Sequence, residues 1–213
     1  NTIVTEEGSR YRVTLAAPRQ NGPPSGQSAL AFFMQFSNPG VRTYTWNRAQ
    51  PSDREAFIGG KLAMYFGFGS ELASLLEANP NMNFDIAPVP QAEGVSVHRN
   101  YGTYYGLAIP RAAAHPTEAF TVALRLLDPG TLEDLAVSTG LTPSLRALYG
   151  TEGQALYQTV LRTSSLISRT WLDPNPRESR KIFGAMINEV GNGQTEVIEA
   201  VEDASYNLGS LFK

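Results

Sequence analysis

Gly67-Phe68-Gly69-Ser70-Glu71 is the stretch of this 213-residue chain whose residue types could most directly do chemistry. Backbone N–H groups freed by two glycines, and a serine hydroxyl where a helix begins, suit an oxygen-rich or anionic ligand. The stretch is not a nucleotide fingerprint. Position 72 is Leu where G-x-G-x-x-G needs its third glycine, and no G-x-x-x-x-G-K-[ST] occurs. Nor does Ser70 sit in G-x-S-x-G, so the nucleophile elbow of hydrolases is absent. The same residues would also serve as a plain turn joining a strand to a helix. Tyr101, Tyr104 and Tyr105 lie around Gly102 and Gly106. An amphipathic ring beside a flexible backbone suits a sugar, with C–H groups on the ring face and the hydroxyl at its rim. In an alternating strand Tyr104 and Tyr105 point to opposite faces, so at most one of them faces a given cleft. Trp46, next to Asn47 and Arg48, and Trp171, flanked by Arg169 and Asp173, sit in polar, loop-like contexts where ligand contacts concentrate. Either indole could equally close the edge of a core.

The carboxylates do not make a persuasive catalytic pair. Glu6-Glu7, Glu133-Asp134 and Glu202-Asp203 are neighbours in sequence whose side chains diverge on a helix or strand, as solvated faces do. His98 and His115 are too far apart for a helical metal pair, and metal sites want clustered ligands. The sequence thus points to no catalytic residue, no metal and no cofactor. A carbohydrate-active hydrolase or transferase is the alternative, with Glu71 and a second carboxylate such as Asp85 as acid and base, about 5–9.5 Å apart across a cleft.

Several elements must position these groups. Thr2 to Leu15 alternate loosely around Glu6-Glu7-Gly8, as one or two short strands. Pro18 to Gly26 (PRQNGPPSG) is a loop by composition and the best linker candidate. Ser25 or Ser28 caps a helix through Phe36 whose near-continuous apolar run predicts burial on most sides. Val41 to Trp46 reads as a short strand or extended arm. Ser52-x-x-Glu55 opens a helix that Gly59-Gly60 ends. Lys61–Phe66, Phe84–Val89 and Tyr104–Ile109 read as buried strands, the last two ended by Pro90 and Pro110. A helix runs from Glu71 to Ala78 and another from Pro116 to about Leu127. From Thr131, which resembles a cap, the chain reads almost wholly helical. Thr142-Pro143, Glu152 and Asn175-Pro176 mark further starts, and Thr195 caps a last helix whose buried stripe is Val197, Val201, Ala204, Leu208 and Leu211. Strands interleaved with helices, then a helical tail, predict an α/β class.

Composition narrows the function. Hydrophobic residues are 42% and charged residues 17%, below the roughly 25% of an average soluble chain, so a folded core is expected. A net charge of -3 excludes the strongly basic face that a phosphate backbone requires, so nucleic acid is not an expected partner. With no cysteine there are no disulfides, thiolate metal sites or cysteine nucleophiles. No apolar run approaches the roughly 20 residues of a membrane span. The chain begins at Asn1 without a charged-then-apolar leader, so an export signal would have to precede it.

The ordered series Gly60-Lys61-Leu62-Ala63-Met64, Gly69-Ser70, Phe84-Asp85-Ile86-Ala87-Pro88-Val89-Pro90 and Gly106-Leu107-Ala108-Ile109-Pro110 resembles the family 1 extracellular solute-binding proteins of ABC importers. The likeness extends less sharply from about Ser28 to the C-terminal helix, which Gly191-Asn192-Gly193-Gln194 precedes. The resemblance implies a periplasmic-binding-protein-like type II lobe, two such α/β lobes closing on a sugar or oligosaccharide, a membrane permease as partner, and no reaction. It implies an extracytoplasmic location, in the periplasm or on the outer face of the membrane, with or without a lipid anchor. Carried over by position, Phe68, Gly69, Ser70, Glu71, Thr103, Tyr104, Tyr105, Trp171 and Arg177 would line the cleft, with Trp46 as a further contact. The chain departs from the pattern at Glu71, where the family often has an aromatic residue, and at Thr103-Tyr104, where it often has two glycines. Family members are much longer, and this chain matches only their second half, as a fragment. The resemblance divides it into 1–100 as the α/β part of the C-terminal lobe, 101–140 as a segment of the other lobe, and 141–213 as a helical return. Edges left by the missing lobe invite association, either self-association with a second copy or pairing with the absent half. Closure needs both walls, so the chain alone is expected to bind solute weakly or not at all.

Overall fold

A computed structural model of the protein describes residues 3–18, 25–45, 47, 49–149 and 156–212. They fall into two compact units, one made of Asn1–Gln50 with Trp171–Lys213, the other of Pro51–Thr170. The boundaries lie at positions 50 and 170. Of the Pro- and Gly-rich loop at 18–26, residues 19–24 lie outside the described residues.

The first unit opens with a hairpin, β1 (Val4–Glu7) against β2 (Arg10–Val13), antiparallel with Val4 opposite Val13 and Glu7 opposite Arg10. This is the strand pair the loose alternation predicts. α1 (Ser25–Met34), α7 (Pro176–Gly191) and α8 (Val197–Ser210) complete the unit. Asn175 caps α7 by accepting from the Glu178 amide at 3.3 Å, and Pro176 occupies the first turn, where its missing N–H costs nothing. α8 begins after Glu196, one residue beyond the expected Thr195 cap. Its stripe is the core: Ala200, Val201, Ala204 and Leu208 are buried. Leu30 of α1 packs against Ala200 and Val201, with Leu15, Met34, Met186, Ile187 and Val190 around them. The near-continuous apolar run of α1 is nonetheless not buried on most sides. Only its Leu30 side faces the core, and Phe32 and Phe36 are exposed and pack edge-on against each other at 5.2 Å. Val41 to Thr45 forms turns, with the Tyr44 amide donating to Val41 O at 3.1 Å, where an extended arm was expected.

The second unit holds α2 (Asp53–Ile58), a short 3-10 turn at Gly69–Glu71 leading into α3 (Leu72–Ala78), then α4 (Pro116–Leu126), α5 (Pro129–Thr139) and α6 (Leu156–Ile167). Ser52 caps α2 through the Glu55 amide, as its spacing predicts. α5 is capped by Asp128 before Pro129, so Thr131 lies inside the helix. The start at Thr142-Pro143 becomes a 3-10 turn at Arg146–Tyr149, and Glu152 lies outside the described residues. Phe57 ties α2 to the two following segments, stacked on Tyr65 at 5.5 Å and edge-on to Phe84 at 5.7 Å.

The strand expectations fail in this unit. Lys61–Phe66, Phe84–Val89 and Tyr104–Ile109 run without ladder partners among the described residues. Among the described residues its one sheet is a two-residue parallel pair, β3 (Asn100–Tyr101) with β4 (Ser168–Arg169), Asn100 opposite Ser168. The α/β expectation therefore becomes a helix-rich fold with two two-stranded ribbons among the described residues. The physical reason is that strand composition marks a segment fit for a sheet, while the sheet exists only where a second segment supplies the other half of each hydrogen bond.

Candidate functional site

The glycine turn is built by Glu71. Its Oε2 accepts from the Phe68 amide at 2.7 Å and its Oε1 from the Tyr65 hydroxyl at 2.9 Å, so the carboxylate folds back over the turn it ends. Gly67 gives the turn room, since a Cβ would stand 2.6 Å from the Tyr65 ring and 2.9 Å from Glu71 Oε2 and would make those side chains shift. Partial burial, then the hydrogen bond to Glu71, push the Tyr65 hydroxyl up to about 12 from 10.0. With both oxygens engaged inside the turn, Glu71 is a structural acceptor rather than an acid aimed at a substrate. Asp85 accepts from the Ile86 amide at 2.7 Å. The turn leaves Ser70 exposed and holds Phe68 half out of the surface.

The tyrosine segment is anchored by Ser168. The β3–β4 pair brings residues 64 apart in sequence together: the Tyr104 hydroxyl donates to Ser168 O at 2.9 Å and also meets Ser168 Oγ. Ser168 Oγ donates to Ser165 O at 2.7 Å, and Ser165 Oγ meets the Tyr149 hydroxyl at 2.9 Å. Gly102 allows the approach, because a Cβ there would lie 2.8 Å from Ser168 Cβ and Oγ. Tyr104 is thus used for structure, and Tyr105, on the opposite face of an extended chain, is 84% exposed. Phe68 and Tyr101 meet edge-on at 6.1 Å, which joins the glycine turn to the tyrosine segment in one aromatic surface. Sequence reasoning missed Ser168 and Asn100. The Asn100 Oδ1 is buried with no hydrogen-bond partner among the described residues, an acceptor open to a donor. Neither residue carries a local signal, since both act through a contact across the 3-D fold.

In the first unit Trp171 packs edge-on to Phe183 at 6.2 Å, ahead of α7. Arg177 is exposed and borders a shallow concavity of about 440 Å³ with Pro176, Arg180 and Lys181. Lys181 bonds Glu178 at 2.8 Å, which holds that carboxyl below the usual range. No cluster of three or more potential metal ligands occurs among the described residues.

No family model and no curated protein matches this sequence. Among solved structures, it is similar to that of a "putative oligosaccharide periplasmic-binding protein" from Synechococcus sp. MITs9220. The TM-score is 0.62 at 19% identity, over 93% of this chain and 55% of that one. The chain shares the fold of the part of that protein that it covers. It spans little more than half the length of that protein. The expected site residues divide between the units. Phe68, Gly69, Ser70, Glu71, Thr103, Tyr104 and Tyr105 belong to the second, and Trp171 and Arg177 to the first. Trp46 lies outside the described residues. No described helix is long and apolar enough to cross a membrane.

Proposed function

We propose that this chain is part of an extracytoplasmic solute-binding component of an ABC importer, taking a sugar or oligosaccharide and handing it unchanged to a membrane permease. The observation that carries the reading is an aromatic surface on a periplasmic-binding-protein fold: Phe68 and Tyr101 in ring contact, with Tyr105 almost fully exposed nearby in sequence. Exposed aromatic rings offer a sugar's C–H face an apolar platform, and the exposed Ser70 hydroxyl offers its hydroxyls a polar partner. Phe68, Gly69, Ser70, Thr103 and Tyr105 would make a wall for the solute within the second unit. Tyr104 and Glu71 would hold the wall in place. Lipid anchorage at the membrane's outer face fits the same reading.

Saturation-transfer NMR on the chain with a panel of neutral oligosaccharides tests this, since it detects binding as weak as roughly millimolar. The expected outcome is transfer to the sugar ring protons of at least one member, lost in Tyr105→Ala, with the sugar intact after prolonged incubation. Absence of transfer across the panel overturns sugar binding by this aromatic surface on its own. Appearance of new reducing ends overturns the binding-only reading in favour of hydrolysis.

A further inference from the structure

Arg169 is the charged residue that the fold sets beside the aromatic surface. In the parallel β3–β4 pair it stands in register with Tyr101, and the Gly102 amide donates to Arg169 O at 3.1 Å. Residues in register on neighbouring strands leave the same face of the ribbon, about 4.8 Å apart. Tyr101 is exposed and meets Phe68 edge-on, so the arginine side chain starts from the face that carries the two rings. Arg169 is itself exposed, and its Nη1 donates to Ser168 O at 2.7 Å, which ties the guanidinium back to the strand. That bond uses one of the donors of a planar fork and leaves the others for a ligand. The ion pairs among the described residues are Arg12–Glu7 and Lys181–Glu178, so no described carboxylate pairs with Arg169. Glu71, the carboxylate of the glycine turn, spends both oxygens inside that turn.

We infer that Arg169 makes this surface selective for a sugar that carries a carboxylate, a uronic acid, over the neutral sugar of the same shape. The inference rests on the proposed function, since it concerns the same aromatic surface. The rings serve the C–H face of either sugar alike, so they do not tell the two apart. What differs is one group outside the sugar ring, a hydroxymethyl in the neutral sugar and a carboxylate in the acid. A guanidinium fork meets a carboxylate with two parallel charge-assisted hydrogen bonds, and with a hydroxymethyl group it makes one uncharged bond to a single oxygen. A single guanidinium balances a single negative charge, and its planar fork matches the planar carboxylate better than the two charges of a phosphate ester. The chain carries a net charge of -3, which opposes an anion at long range, so a preference for the acid has to come from a local cation.

Saturation-transfer NMR titrations with matched pairs test this: methyl galactoside against methyl galacturonoside, and cellobiose against cellobiouronate. At low ionic strength the acid of a pair is expected to bind about tenfold more tightly than its neutral partner, and the ratio should shrink as salt is raised. Arg169→Gln should bring the two members within about twofold of each other while the neutral member binds as in the wild type. Arg169→Lys, which keeps the charge and loses the fork, should fall between the two. Arg125→Gln removes the same charge from an exposed position on α4 and should leave the preference intact. Equal binding of both members by the wild type overturns the selectivity. A preference that survives Arg169→Gln, or that Arg125→Gln abolishes equally, overturns the assignment to Arg169. Loss of the neutral member in Arg169→Gln overturns it too, since the residue would then be supporting the surface as a whole. Binding of the neutral members without a preference for the acids leaves the proposed function standing, whereas silence of all four sugars removes sugar binding by this surface and the selectivity with it.

Discussion

Both carboxylate oxygens of Glu71 are taken by the turn, and the consequence reaches Tyr65. The phenol is half-buried, donates to Glu71 Oε1 and stacks on Phe57, so its neutral form is favoured in the fold. A hydroxyl raised from 10.0 to about 12 contributes stability that is whole below pH 10 and is lost as pH rises through about 12. Over that window the unfolded state has released a proton that the folded state still holds. We therefore expect the urea midpoint of the wild type to fall more steeply across pH 10 to 12 than that of Tyr65→Phe. At neutral pH the variant is expected to lose about 1 kcal/mol, one partly exposed hydrogen bond to a carboxylate. Equal slopes for the two proteins would refute the coupling. The sequence showed Glu71 only as an odd residue in a glycine turn. Its type is compatible with an acid, a ligand or a cap, and only the position of the Phe68 amide and the Tyr65 hydroxyl decides among them.

At the scale of elements, helices were legible because their information is local. Ser52 and Glu55 meet within one turn, Asn175 reaches the Glu178 amide, and the 3.6-residue period of α8 sets Val201, Ala204 and Leu208 on one side. Leu208 is wholly buried while Tyr206, two positions earlier on the same helix, is 77% exposed. Leu208→Ala should accordingly cost about 3 kcal/mol, the removed side chain plus the cavity left behind. Tyr206→Ala should stay within about 0.5 kcal/mol. Equilibrium urea unfolding followed by helix content measures both, and a small loss at Leu208 would mean that α8 is not the centre of the first unit. Strands were not legible in the same way. Lys61–Phe66 and Tyr104–Ile109 have strand composition and are still unpaired, because pairing depends on a segment elsewhere that no local pattern reveals. The converse case is β4, two polar residues that no pattern would call a strand, which pair because Asn100 and Tyr101 arrive beside them.

For the whole molecule, the contrast between the units is one of what each buries. The first gathers α1, α7 and α8 around Leu30, Ala200 and Val201, whereas the buried residues described in the second, Ala56, Leu75, Leu132, Pro143 and Ser168, are scattered along the chain. The division itself was hidden from the sequence, since the first unit is assembled from both ends of the chain. Amide exchange reads out this contrast residue by residue, because protection follows hydrogen bonding and local stability. The slowest amides are expected in the interior turns of α7 and α8, and those of 62–66 and 103–109 should exchange near the unfolded rate in dilute solution. Protection of alternate amides of 103–109 would place a strand partner within this chain, because in an antiparallel ribbon every second residue donates to the partner strand.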